Sequence, residues 1–179
     1  LHDLGALLWV MRGGLIAAVL IHIGLTLTLV FENRTAREQP YQQVRSKGDR
    51  SFATRTMAVS GILIVVFIII HLYDFTFATK DGPQSIIEGV NEGESVGLFG
   101  VVWFSFNQWW RVGLYILAVA AVGAHLSHAI ESVFQTFGFF HERYTPVIKA
   151  LSIATGVLIF LGFAASPIYV RLTAHPLGA

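Results

Sequence analysis

Three histidines, His22, His71 and His125, stand inside long apolar runs of this 179-residue chain. A titratable ring in hydrocarbon costs free energy, so it marks a functional site by default. Two neutral imidazoles on different helices at one depth can hold an iron from opposite sides. Each ring's second nitrogen then donates to a backbone or hydroxyl acceptor, which fixes the tautomer. A lone intramembrane histidine is as well explained by hydrogen bonding between helices. Matched depth separates the two readings, and depth depends on the elements that carry the rings.

Those elements are set by composition. The chain is 54% hydrophobic and 13% charged, with a mean hydropathy of +0.64, too apolar for a soluble domain of this size. Four stretches are long enough to cross a bilayer: A, Leu7 to Phe31; B, Met57 to Ala78; C, Val101 to Ile130; and D, Val147 to Val170. No period-2 alternation suggests a β-barrel. The expectation is an all-α transmembrane bundle of four spanning helices, residues 1–179 forming one membrane domain. There is no cysteine, so the chain supplies no thiolate to an iron–sulfur cluster. A net charge of +1 with no basic tract gives no reason to expect nucleic acid. The first residue is Leu1 rather than Met, which leads us to expect further sequence upstream.

Loop charge orients the spans. The A–B connection carries Arg34, Arg37, Arg45, Lys47, Arg50 and Arg55, whereas B–C carries Lys80 against Asp81, Glu88, Glu92 and Glu94. Basic loops stay inside, so A–B and C–D face the cytoplasm and both termini face outward. Trp9, Trp103, Trp109 and Trp110 then fall at the outer boundary, where indole rings favour the headgroups. B–C, with Gly82, Pro83 and Gly89, reads as a structured outer loop.

At 1.5 Å per residue, His22 lies roughly 13 Å above the inner boundary and His125 roughly 9 Å, while His71 lies roughly 24 Å from that side. His22 and His125 are therefore expected to share one haem, and His71 to stand apart. Gly14, Ala18 and Thr26 share the His22 face, and Ala118, Ala121 and Ala129 lie near that of His125. His128, one turn deeper, competes with His125 as ligand but is expected first as a propionate or hydration partner. Arg12 and Arg111 are expected at outer propionates or as interfacial anchors. Asp74 follows His71 by one turn and is expected mainly to reach the outer water, a role in quinone proton transfer being the less favoured reading. Trp103, Asn107 and Trp110 are candidates for lining a quinone pocket, although the aromatic belt explains them.

Three stretches carry a resemblance: RGGLIAAVLIHIGLTLTLVFENRTAREQPY, ATRTMAVSGILIVVFIIIHLYDFTF and VGLYILAVAAVGAHLSHAIESVFQTFG. With the N-R-x-A-R run at Asn33 to Arg37, R-T-M at Arg55 to Met57, and H-L-x-H followed by F-Q-T-x-G, the chain resembles the diheme cytochrome b anchor of succinate dehydrogenase in its single-polypeptide form. The resemblance implies five helices and four haem-ligating histidines in the family, with A, B and C matching its second, third and fourth helices. His22, His71 and His125 would then be metal ligands, His22 and His125 holding the haem b nearer the cytoplasm. A second haem at His71 would need a partner on a first helix that this chain lacks. The implied partners are the flavoprotein and iron–sulfur subunits, with menaquinone or ubiquinone as substrate, in a prokaryotic cytoplasmic membrane. Fumarate-reducing members can carry a glutamate two residues before the fourth-helix ligand. Gly123 stands there, which favours succinate oxidation. The rivals are the cytochrome b anchor of a formate dehydrogenase or hydrogenase, and a haem-free transport or assembly bundle.

Overall fold

A computed structural model describes residues 5–36, 52–139 and 141–173. Every long element among them is helical, and four helices are long and apolar enough to cross a membrane: Gly5–Glu32, Thr56–Thr76, Trp109–Thr136 and Thr145–Thr173. The chain is an all-α membrane-spanning protein. It divides into two units, Leu1–Lys47 and Gly48–Ala179.

The first unit contributes α1, Gly5–Thr35. Its threonines solve a local problem. A hydroxyl on a spanning helix needs a partner, and each bonds back one turn: Thr26 Oγ1 donates to the His22 carbonyl at 2.8 Å and Thr28 Oγ1 to that of Gly24 at 3.0 Å. The Thr26 bond puts its side chain on the His22 face, as the spacing predicts. Toward the other end, the Arg12 guanidinium lies 5.3 Å from the centre of the Trp9 ring, the pairing of cation and indole expected of an interfacial anchor.

The second unit runs α2 (Phe52–His71), a π-helical turn (Leu72–Thr76), α3 (Leu98–Phe106), α4 (Trp109–Thr136) and α5 (Thr145–Thr173). The amphipathic logic of soluble helices does not operate, because lipid is as apolar as the side chains. Close backbone approach and polar contacts hold the helices instead. α4 is central: it packs against both α2 and α5. Gly123 and Gly156 make the α4–α5 contact possible. A Cβ on Gly123 would lie 2.6 Å from the Gly156 carbonyl oxygen, and one on Gly156 would meet the Gly123 carbonyl oxygen in turn. α4 ends in a Schellman cap. Gly138 takes φ +84°, Gly138 N donates to Gln135 O and Phe139 N to Phe134 O, and the rings of Phe134 and Phe139 meet edge-on at 6.0 Å.

Segment C is corrected by the structure. It is not one span from Val101 to Ile130: the chain breaks at Asn107 and Gln108, and Gln108 is extended (φ −100°, ψ 117°) before α4 begins. α3 has nine residues, about 14 Å of helix, which cannot cross a hydrocarbon core of about 30 Å. Trp103 belongs to α3, and α4 continues beyond Ile130 and Glu131 to Thr136. α3 packs on the turn Pro83–Ser85, where Gly100 leaves no room for a Cβ against the Ser85 backbone. The B–C connection is structured, as expected. Ser85 is fully buried, its hydroxyl lies 2.6 Å from that of Ser95, and Val96 N closes the loop on Ser85 O at 2.9 Å. Arg171 of α5 joins this end by donating to Asn107 Oδ1 at 3.2 Å and covering the Trp109 ring at 4.5 Å.

Candidate functional site

His125 sits midway along α4, half-buried against α2. Its Nδ1 lies 3.0 Å from Ser60 Oγ on α2, and its Cε1 packs over Gly61, where even an added Cβ would stand only 3.5 Å away. Ser60 has one hydroxyl proton, and the Met57 carbonyl oxygen lies 3.0 Å from it along the helix. If that proton goes to Met57, Oγ is left to accept from Nδ1–H. The pair then closes with the imidazole in its Nδ1–H tautomer and the lone pair on Nε2. This is the arrangement of a metal-ligating histidine whose ring is oriented by a second residue. Ser60 was not foreseen. Its only sequence signal is a Ser-Gly pair inside an apolar run.

His71 stands eleven residues beyond Ser60 on the same helix, about 16 Å along the axis. It is therefore on a different level from His125, as sequence spacing predicts. Its ring lies among aromatics: Phe67 at 5.7 Å, Phe75 at 5.3 Å and Tyr115 at 6.1 Å between centres. His22 is carried by α1, thirteen residues before that helix ends; His125 lies eleven before the end of α4. His128 is half-buried, one turn after His125. Arg34 and Arg55 fall within α1 and α2, while His2, Arg37, Arg45, Lys47, Arg50 and His175 lie outside the described residues.

Immediately after His71 the helix opens into the π turn, closed by Phe77 N donating to Leu72 O at 2.9 Å. Such turns are rare and recur at functional sites. Asp74 lies inside it, and its expected reach toward water is wrong: the residue is only 9% exposed. Its Oδ2 accepts from Arg111 Nη1 at 3.0 Å and from the Tyr115 hydroxyl at 2.9 Å. A carboxylate buried among helices is tolerable only when paired and hydrogen-bonded, and α4 supplies both partners. Arg111 is thus neither a simple interfacial anchor nor uncommitted toward a propionate; it also covers Trp110 at 5.2 Å. The cluster rests on the buried core of this end, where Phe106, Val112, Tyr115 and Val170 pack with Phe67 and Phe75.

Asp74 and Arg111 border a cavity of about 650 Å³ between the π turn, the turn at Pro83–Ser85 and the α3–α4 junction, walled by Tyr73, Phe77, Phe104 and Gln108. Trp103, Asn107 and Trp110, the candidates from the sequence, do not line it. No group of three or more histidine, cysteine, aspartate or glutamate side chains among the described residues could hold a metal ion. No protein-family model, curated protein or solved structure matches the chain.

Proposed function

We propose that the chain is the haem-binding membrane anchor and electron-transfer subunit of a succinate dehydrogenase, taking electrons from an iron–sulfur subunit and delivering them to quinone. The observation that carries this reading is the Ser60–His125 pair. It holds a half-buried imidazole against α2, with Nδ1 3.0 Å from the Ser60 hydroxyl to orient the ring. That donor chemistry fits an axial ligand of haem. When bound, haem supplies one-electron transfer. His125 would hold its iron, and Ser60 would orient that ring.

In this reading His22 provides the second ligand of the same haem, since both rings lie at similar distances from the ends of their own helices. His71 would ligate a second haem with a partner from outside the described residues, and Arg12 and His128 would face propionates. Gly123 supports the oxidative direction, because the close Gly156 backbone excludes any side chain there, including the glutamate of fumarate-reducing relatives. Both termini would lie outside a prokaryotic cytoplasmic membrane, with the basic A–B connection docking the iron–sulfur subunit.

The test is the reduced-minus-oxidised spectrum of the purified protein, with its haem-to-protein ratio. A sharp α-band is expected, and His22→Ala and His125→Ala should each remove the same spectral component. His71→Ala should leave that component in place. Absence of any haem would make the Ser60–His125 bond plain interhelical glue and return a transport or assembly role. Co-purification of a covalent-flavin subunit separates succinate dehydrogenase from the anchors of other dehydrogenases.

A further inference from the structure

Two features of α4 and α5 stand at matched spacing and are not used by the electron-transfer reading. The first lies at one end of both spans. Arg171 of α5 donates through Nη1 to Asn107 Oδ1 at 3.2 Å, and its guanidinium lies 4.5 Å over the ring of Trp109, the first residue of α4. Its Nε is buried with no hydrogen-bond partner among the described residues. Among the same residues the ion pair joins Arg111 to Asp74, and no carboxylate meets Arg171. A guanidinium has five N–H donors, so a fixed cation with most of its donors unused stands where the spans end.

The second feature is an apolar groove of about 290 Å³ along the α4–α5 seam. Gly123 and Gly156 bring the two backbones together there without offering a side chain to fill the surface beside them. Ala120, Ala124 and Ser127 of α4 and Phe160 of α5 wall it. Ser127 stands about 160° around α4 from His125, so the groove is separate from that site.

The spacing joins the two. Ala120 follows Trp109 by eleven residues, and Phe160 precedes Arg171 by eleven. Eleven residues of helix are about 16 Å, and three turns plus about 20°. The near end of the groove therefore lies on the same helix faces as the Arg171–Trp109 pair, about 16 Å deeper. A hydrocarbon core is about 30 Å thick, so this is the depth at which the chains of one leaflet end. A ligand that meets both features has an anionic head and an apolar tail one leaflet long. Phosphate suits the head, because a guanidinium grips two of its oxygens in parallel. A spanning helix of a second copy would fill the groove but leave Arg171 without an anion.

We infer that the α4–α5 seam binds one phospholipid, its phosphate on Arg171 and one acyl chain ending in the groove beside Gly123 and Gly156. The assignment involves no haem and stands independently of the electron-transfer reading.

The full chain in detergent micelles is titrated with palmitoyl-oleoyl-phosphatidylglycerol, and bound lipid is counted by native mass spectrometry. One tightly held lipid is expected. Arg171→Gln keeps an amide for Asn107 but removes the charge, and should weaken binding at least tenfold; Arg171→Lys keeps the charge without the planar fork and should lose less. Ala124→Leu, at an exposed groove residue, should fill the space and weaken binding at least tenfold. Leu158→Phe, 69% exposed and outside the groove, should leave binding unchanged. Palmitoyl-oleoyl-glycerol, which lacks the phosphate, and dioctanoyl-phosphatidylglycerol, whose chains stop short of the groove, should each bind at least tenfold more weakly. Affinity unchanged by Arg171→Gln and Ala124→Leu, equal retention of the phosphate-free lipid, displacement of the lipid by inorganic phosphate, or a dimer that Ala124→Leu abolishes would each overturn the assignment. The lipid comparisons need no variant, so they decide the case even if Arg171→Gln loses its helical circular dichroism.

Discussion

Replacing Gly123 by alanine tests the packing that holds the second unit together. The new Cβ would stand 2.6 Å from Gly156 O and 3.4 Å from Phe160 Cβ. Ordinary contact begins near 3.5 Å, so α4 and α5 must separate by about 0.9 Å. A gap of that size forfeits about a quarter to a half of each atom pair's dispersion energy along the seam. Overpacking of this kind costs about 1–3 kcal/mol. Against it, alanine is intrinsically better than glycine in a helix by about 0.8–1.0 kcal/mol. The expected net effect runs from about zero to a loss of about 2 kcal/mol. Gly162→Ala is the control, because nothing lies within 4 Å of a Cβ at that position of α5; only the propensity gain remains, and the variant should be neutral or slightly stabilised. Equilibrium unfolding in mixed micelles measures both. Equal stability of the two variants would refute the claim that the Gly123–Gly156 contact sets the helix separation.

Three further outcomes are expected. If His125 ligates haem as proposed, Ser60→Ala should lower haem affinity by about 10–100-fold, the usual effect of losing a residue that orients a metal-bound histidine, and shift the midpoint potential, with Ser60→Thr restoring both; a haem unaffected by Ser60→Ala would refute the tautomer argument. Asp74→Ala should cost about 3–5 kcal/mol, because it strands a cation beside a carboxylate site whose side chain is 6% exposed, with Arg111 at 26%. Tyr115→Phe should cost about 0.5–2 kcal/mol, since Asp74 keeps Arg111. Equal losses on unfolding would show that the ion pair adds nothing to the hydroxyl bond.

Hydropathy alone located segments A, B and D, because a bilayer imposes length and apolarity on any span. It failed at C for the same reason. Leu98 to Phe106 and the start of α4 are both apolar, and a sliding average does not register the two polar residues between them, Asn107 and Gln108, the second of which is extended. Asp74 is expected in water because it stands near the outer end of its span, whereas its partners Arg111 and Tyr115 are on another helix, which the local sequence does not show. Gly123 was read for the carboxylate it lacks. Its steric role depends on Gly156, thirty-three residues away on another helix, and nothing local to either residue announces the pair. The separation in level between His71 and His125 was legible, since rise per residue is nearly invariant. Ser60 was not, because a serine in an apolar run is equally well satisfied by its own helix.

The five-residue turn after His71 also makes this stretch unforgiving of insertion and deletion. One residue is about 100° of helix. Losing one between His71 and Asp74 would swing the carboxylate a quarter-turn or more around the axis, away from Arg111 and Tyr115, while leaving the histidine where it was. The spacing between these two residues is therefore as much a part of the arrangement as their identities. Length changes beyond Thr76 would leave His71 and Asp74 in register.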